Sequence, residues 1–326
     1  MKKYLFIGIA ATAMLASCTN DEIVEMAPQK AISFSTFVNN STRTAVDPSY
    51  TVGNIGEAWN TFSVWGYDSK GAILSNETVT YDTDWGYKNT AYWAKSETYN
   101  FYAIAPASEG SKATVSSTGI SAIKDFTLTD EKQIDLLYAT PVTRTTDATL
   151  TQAPGKVEMT FSHILSKVKF TFTNGMTNQN TSIKVSDIKI TNAIAMGSAS
   201  NTSEVWTWTS ENESNDLVLN FGATAVLAQD ATDKECAYEK LMIPGKRTYS
   251  ISYTVELWND GAEAASSTYA NNATVDIELK AGNSYNLIAT INDQNFSGED
   301  NVYPIEFTVT SVNGWTENDD TEITVQ

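Results

Sequence analysis

Apolar and polar residues alternate along much of this chain in short runs, the period-2 pattern of strands that bury one face. The first run is KAISFSTFVNN, in which Ile32, Phe34, Thr36 and Val38 fall on one face and Ser33 and Ser35 on the other. Asn39, Asn40 and Ser41 are turn formers that end this strand and leave Arg43 and Thr44 in a segment predicted to be exposed to a trypsin-like protease. Further runs follow at Phe62 to Tyr67, Thr78 to Tyr81 and Tyr99 to Ile104, punctuated by Gly53, Gly56, Gly71, Gly86 and Pro106. That spacing is the one expected of a β-sandwich. Asp130 to Tyr138 is the one stretch where Ile134, Leu137 and Tyr138 can share a helical face, and a short helical turn is expected there.

Thr140 to Gly155 is rich in Thr, poor in large apolar residues and broken by Pro141, Pro154 and Gly155, so the domain boundary is placed here. Residues 18–154 and 155–326 are then two β-sandwich domains. The second half carries strand patterns at Val157 to Phe161, Ile164 to Phe172, Ile183 to Thr191, Leu217 to Phe221, Tyr249 to Trp258, Val275 to Leu279 and Tyr285 to Ile291. Near its end Ile305, Phe307 and Val309 repeat the face of Ile32, Phe34 and Thr36, each presenting Ile, then Phe, then a β-branched residue, and Ile323 and Val325 form a shorter terminal run. A strand that matches the first strand is a candidate to occupy the same groove in another copy.

Length and composition agree with this all-β reading. A chain of 326 residues has room for two cores, and its 8 Trp and 15 Tyr, with frequent Thr, Val and Ile, favour strands over disorder. The net charge of −18 argues against nucleic acid or anionic lipid as partner, because both require a basic surface. With only Cys18 and Cys236, no intrachain disulfide framework is expected, and Cys236 reads as a lone structural thiol.

Catalytic equipment is sparse. His163 is the single histidine, no G-x-S-x-G elbow accompanies it, and its setting among Phe161, Ile164 and Leu165 predicts a buried structural imidazole. One histidine and one cysteine in the body of the chain cannot build a zinc cage. Asp319 and Asp320 lack the spacing of a calcium loop. No metal, no cofactor and no enzymatic activity are therefore expected. The tryptophans, among them Trp206 and Trp208 on one strand face, are read mainly as core and interface residues, with glycan stacking as the alternative use.

Residues 1–17 have a basic start at Lys2 and Lys3, an apolar run from Tyr4 to Leu15, and small residues at a cut site. Leu15-Ala16-Ser17-Cys18 resembles a lipobox, which implies cleavage between Ser17 and Cys18 and acylation of Cys18. Lipid attachment to a membrane follows from that resemblance.

Taken jointly, this leader, the I-x-F-x(8)-R arrangement from Ile32 to Arg43, FSHILSKVKFTF from Phe161 to Phe172, AGNSYNLIATI from Ala281 to Ile291 and the late Trp315 resemble the Mfa-like fimbrillins of type V pili in Bacteroides-type bacteria. The resemblance implies two transthyretin-like β-sandwiches and an outer-membrane lipoprotein precursor that later becomes part of an extracellular fimbrium. It implies an arginine-specific maturation protease that cuts between Arg43 and Thr44 and discards the removable strand in residues 30–43. Arg144 is a rival cut site. It also implies polymerisation with other pilus subunits by strand donation from the Ile305, Phe307, Val309 segment or the Ile323, Val325 segment. The alternative is a surface lipoprotein that binds host or bacterial glycans and does not polymerise.

Overall fold

The computed structural model describes residues 30–38, 60–210, 216–229, 234–236, 238–296, 305–313 and 321–323. Most of them are in strands. The first half supplies β1 (Phe34–Val38), β2 (Thr61–Asp68), β3 (Gly71–Tyr81), β4 (Trp85–Tyr87), β5 (Thr98–Ala105), β6 (Ala113–Ser116), β7 (Gly119–Thr127), β8 (Leu137–Ala139) and β9 (Val142–Thr145). The second supplies β10 (Val157–His163), β11 (Ser166–Asn174), β12 (Thr181–Ile194), β13 (Met196–Thr202), β14 (Val205–Ser210), β15 (Asp216–Gly222), β16 (Lys234–Glu235), β17 (Lys240–Met242), β18 (Gly245–Asn259), β19 (Ser267–Leu279), β20 (Asn283–Ile291), β21 (Phe307–Asn313) and β22 (Thr321–Ile323).

One sheet runs β1-β10-β8-β5-β2-β3-β4, with β9 paired to β5. Both of its faces are covered, which explains the nearly unbroken apolar run of β5. Tyr99, Phe101, Ala103 and Ala105 enter one core with Phe34, Phe62 and Phe161. Tyr102 and Ile104 enter another, with Ile120, Ile123 and Phe126 of β7. The second core is closed by a four-stranded sheet, β14-β13-β7-β6. In the second half, β16-β11-β20-β21-β22 with β17, and β15-β12-β18-β19, enclose a third core containing Phe170, Phe172, Ile190, Phe221, Tyr253 and Val309. The architecture is a tandem arrangement of β-sandwiches.

Two sequence expectations meet a different structure. Asp130 to Tyr138 forms no helical turn: Leu136 and Tyr138 point into one core while Leu137 and Ala139 point into the other, the two-residue alternation of extended chain. The sheets also divide the chain later than residue 154. Val157, Met159 and Phe161 of β10 are fully buried in the first core, and β10 lies between β1 and β8. The second pair of sheets therefore starts at β11. Moreover β13, a strand of the second half, pairs antiparallel with β7, so the two halves share a sheet.

Candidate functional site

The first strand sits at a seam. β1 runs parallel to β10, with Phe34 opposite Val157 and Val38 opposite Phe161, and the Val157 N–H donates to the Ser33 carbonyl at 2.7 Å. Just upstream the same segment turns its hydrogen bonds to the opposite side. The Ile32 N–H donates to Ala91 O and the Trp93 N–H to Lys30 O, both at 2.9 Å. Residues 91–93 follow β4, the last strand of the sheet, so residues 30–38 tie the β10 end of the sheet to its β4 end. Two side-chain links span the same gap. The Tyr87 hydroxyl donates to the Ile32 carbonyl at 2.8 Å, and the Lys156 ammonium reaches both oxygens of Asp84 at 2.7 and 2.6 Å. The Lys156 hydrogen bond holds the Asp84 carboxyl below its ordinary pKa. Burial raises the Tyr87 phenol, keeping it neutral and able to donate.

Alternation drives the face of this strand into the core as the sequence predicts. Ile32, Phe34 and Thr36 are buried. The Phe34 ring meets Phe62, Tyr87 and Phe101 edge-on at 5.9, 5.5 and 5.8 Å, the preferred geometry for aromatic neighbours. Burying Ile32 and Phe34 contributes roughly 1.5–3 kcal/mol each. Thr36 opposes this: its hydroxyl is sealed from solvent and has no hydrogen-bond partner among the described residues. The position is shaped for a β-branched side chain but offers its oxygen nothing. Sequence reasoning placed Thr36 on the buried face, and only the packing reveals that its hydroxyl is stranded.

The remaining predicted residues divide into two groups. Ser17, Cys18, Arg43, Thr44 and Val325 lie outside the described residues, and Val38 is described only through its pairing with Phe161. Arg144 is half-buried, and its backbone lies in β9, opposite Tyr99 of β5. Ile305 and Val309 are buried in the third core, and the Phe307 ring packs on Phe170, Phe172 and Tyr253 at 5.6 to 5.9 Å. Their strand β21 lies between β20 and β22, and Ile323 pairs with Val309. His163 is buried as expected, and its Nδ1 faces the Asp135 carboxylate at 3.0 Å. The Cys236 thiol donates to Phe170 O at 3.3 Å. Among the described residues no cluster of three or more His, Cys, Asp or Glu side chains could hold a metal ion.

Residues 42–315 match the fimbrillin-like family. The chain belongs to that family. This fimbrillin-like protein is also similar in fold to a fimbrial protein of Bacteroides vulgatus, at 14% identity and a TM-score of 0.52, covering 88% of this chain and 100% of the other. The fimbrial anchor protein Mfa2 from Porphyromonas gingivalis aligns at 14% identity and a TM-score of 0.37, covering 91% of this chain and 100% of that one. No curated protein matches. Family membership gives the chain a fimbrial role at the cell surface. The family is a structural one rather than a family of enzymes.

Proposed function

We propose that this fimbrillin-like protein is a structural subunit of a surface pilus, exported as a lipoprotein acylated at Cys18 and polymerised by strand exchange after cleavage between Arg43 and Thr44. The observation that supports this reading best is the seam. A segment that ties both ends of one sheet together, and is linked to the rest of the chain through the turn-rich stretch after Val38, can leave as a unit. Its departure exposes unpaired β10 and residue 91–93 edges above a slot lined by Phe62, Tyr87 and Phe101. A matching strand from the C-terminus of another subunit supplies both hydrogen bonds and apolar contacts. Insertion of one copy into the next is heterologous and does not close, so a filament results. Arg144 is the poorer cut site, because a protease would first have to strip β9 from β5.

Limited trypsin digestion of the chain expressed without its leader tests this, read by electrophoresis with and without boiling. Expected is a ladder of heat-sensitive multimers that is absent in Arg43→Ala and after deletion of residues 305–326. A trimmed monomer alone, with Arg43→Ala behaving identically, overturns the reading.

A further inference from the structure

We infer that the cleft where the two halves meet is a binding site for a neutral oligosaccharide, independent of strand exchange. The cleft encloses about 800 Å³, within the range of small-ligand sites. One wall is β14, whose Trp206 and Trp208 project on the same side and line it. Both indoles are held in place. Trp206 meets the Tyr138 ring edge-on at 5.1 Å, and the Trp208 N–H donates to the Ile164 carbonyl at 2.8 Å. A rigid aromatic wall presents apolar surface at little entropic cost, which suits the C–H faces of sugar rings.

The rest of the lining is dense in hydrogen-bonding groups of both kinds. Thr140, Ser162 and Thr207 bring hydroxyls, Glu204 and Glu278 carboxylates, and Lys246 and Lys280 ammoniums. Two charges of each sign balance, so the site selects neither an anionic nor a cationic ligand, whereas a neutral polyol can donate to the carboxylates and accept from the ammoniums. A second pocket of about 330 Å³ shares Tyr138 and Glu204 with the first and lengthens the site enough for a chain of sugars.

An extended peptide is the rival occupant, because β14 ends its sheet among the described residues. Strand addition draws its specificity from apolar pockets at alternate positions. The wall facing β14 instead offers Lys246, Glu278 and Lys280, which favours the sugar.

The test titrates the full chain with cellotriose, maltotriose, chitotriose and N-acetyllactosamine, read by tryptophan fluorescence and by saturation-transfer NMR. At least one of them is expected to bind, with Kd raised about tenfold or more in Glu204→Ala and Lys246→Ala and unchanged in the distant Lys88→Ala. These are exposed positions, so circular dichroism of the variants should match the parent. No transfer signal from any of the four sugars at millimolar concentration overturns the inference. So does binding that neither cleft variant weakens, or saturable binding at β14 of an unstructured alternating Val-Thr peptide with no sugar bound.

Discussion

Thr36→Val isolates the weak point of the seam strand. Thr36 has no exposed surface, and its hydroxyl finds no partner among Phe34, Met159 and the other residues of that core. A buried hydroxyl left unsatisfied costs about 1–3 kcal/mol, while the methyl groups of valine occupy nearly the same space. The substitution should therefore stabilise the first sandwich by about 1–3 kcal/mol. Any state in which β1 has left its groove becomes rarer by the same free energy, which at 1.4 kcal/mol is about tenfold. Urea denaturation measures the first quantity as a raised midpoint at unchanged slope. Native-state hydrogen exchange at the Val157 amide, which donates to Ser33, measures the second as slower exchange. Thr36→Ser keeps the stranded hydroxyl and deletes a methyl, so it should destabilise by about 1 kcal/mol. If Thr36→Val leaves stability and exchange unchanged, or lowers the midpoint, the hydroxyl carries no uncompensated cost and the strand is not weakened there.

Phe34→Ala removes a fully buried ring with three edge-on aromatic neighbours and should cost about 3–5 kcal/mol, read as a lower denaturation midpoint with early loss of protection at Val157. The Tyr87 phenol has its pKa raised by burial, so its contribution is fully present below the unfolded value of 10 and is lost as pH rises through the folded value. Protection at the Ile32 and Trp93 amides should fall in that alkaline window in the parent, and Tyr87→Phe should remove the pH dependence while lowering protection at neutral pH, since it deletes the bond to the Ile32 carbonyl. Lys156→Ala breaks an exposed ion pair with Asp84 and should change stability little, with the Asp84 carboxyl titrating nearer its ordinary value by NMR.

The sequence was most readable where one face is buried and the other wet. Ile32, Phe34 and Thr36 and the pair Phe307 and Val309 follow strict alternation, and the structure places their strands accordingly. Reading failed where two cores share a strand. In residues 136–139 every side chain is buried, successive residues serving opposite cores, and such a run carries no period that separates strand from helix. The β6–β7 hairpin escaped for the opposite reason: it offers few apolar residues among Thr, Ser and Lys, and its pairing with β13 depends on residues some seventy positions away. Long-range pairing also explains the misplaced boundary. The Thr-rich stretch looks like a linker, yet it contains β9, and β10 just beyond it returns to the first sheet. The seam itself left no local signal, because the partners of residues 30–38 come from residues 91–93 and 157–161.

The proposed exchange raises the question of which C-terminal segment is donated, and the orphaned hydroxyl bears on it. Ile305, Phe307 and Val309 match Ile32, Phe34 and Thr36 position for position, and an incoming Val309 would fill the Thr36 site without stranding an oxygen. Against this, β21 is an inner strand whose loss would expose Phe170, Phe172 and Tyr253, whereas β22 is the edge strand and among the described residues pairs with β21 alone. Donating β21 thus gains at the groove and loses in its own sandwich, a near balance that release of the first strand by cleavage would tip in one direction. Cysteine pairs decide between the segments. Met159 lies beside Thr36 in the groove, so in a Cys236→Ser background Met159→Cys with Val309→Cys should give disulfide-linked multimers after trypsin if β21 is donated. Met159→Cys with Ile323→Cys should give them if β22 is donated. Multimers from the second pair alone would show that the sequence match between the first strand and β21 reflects common strand packing and not exchange.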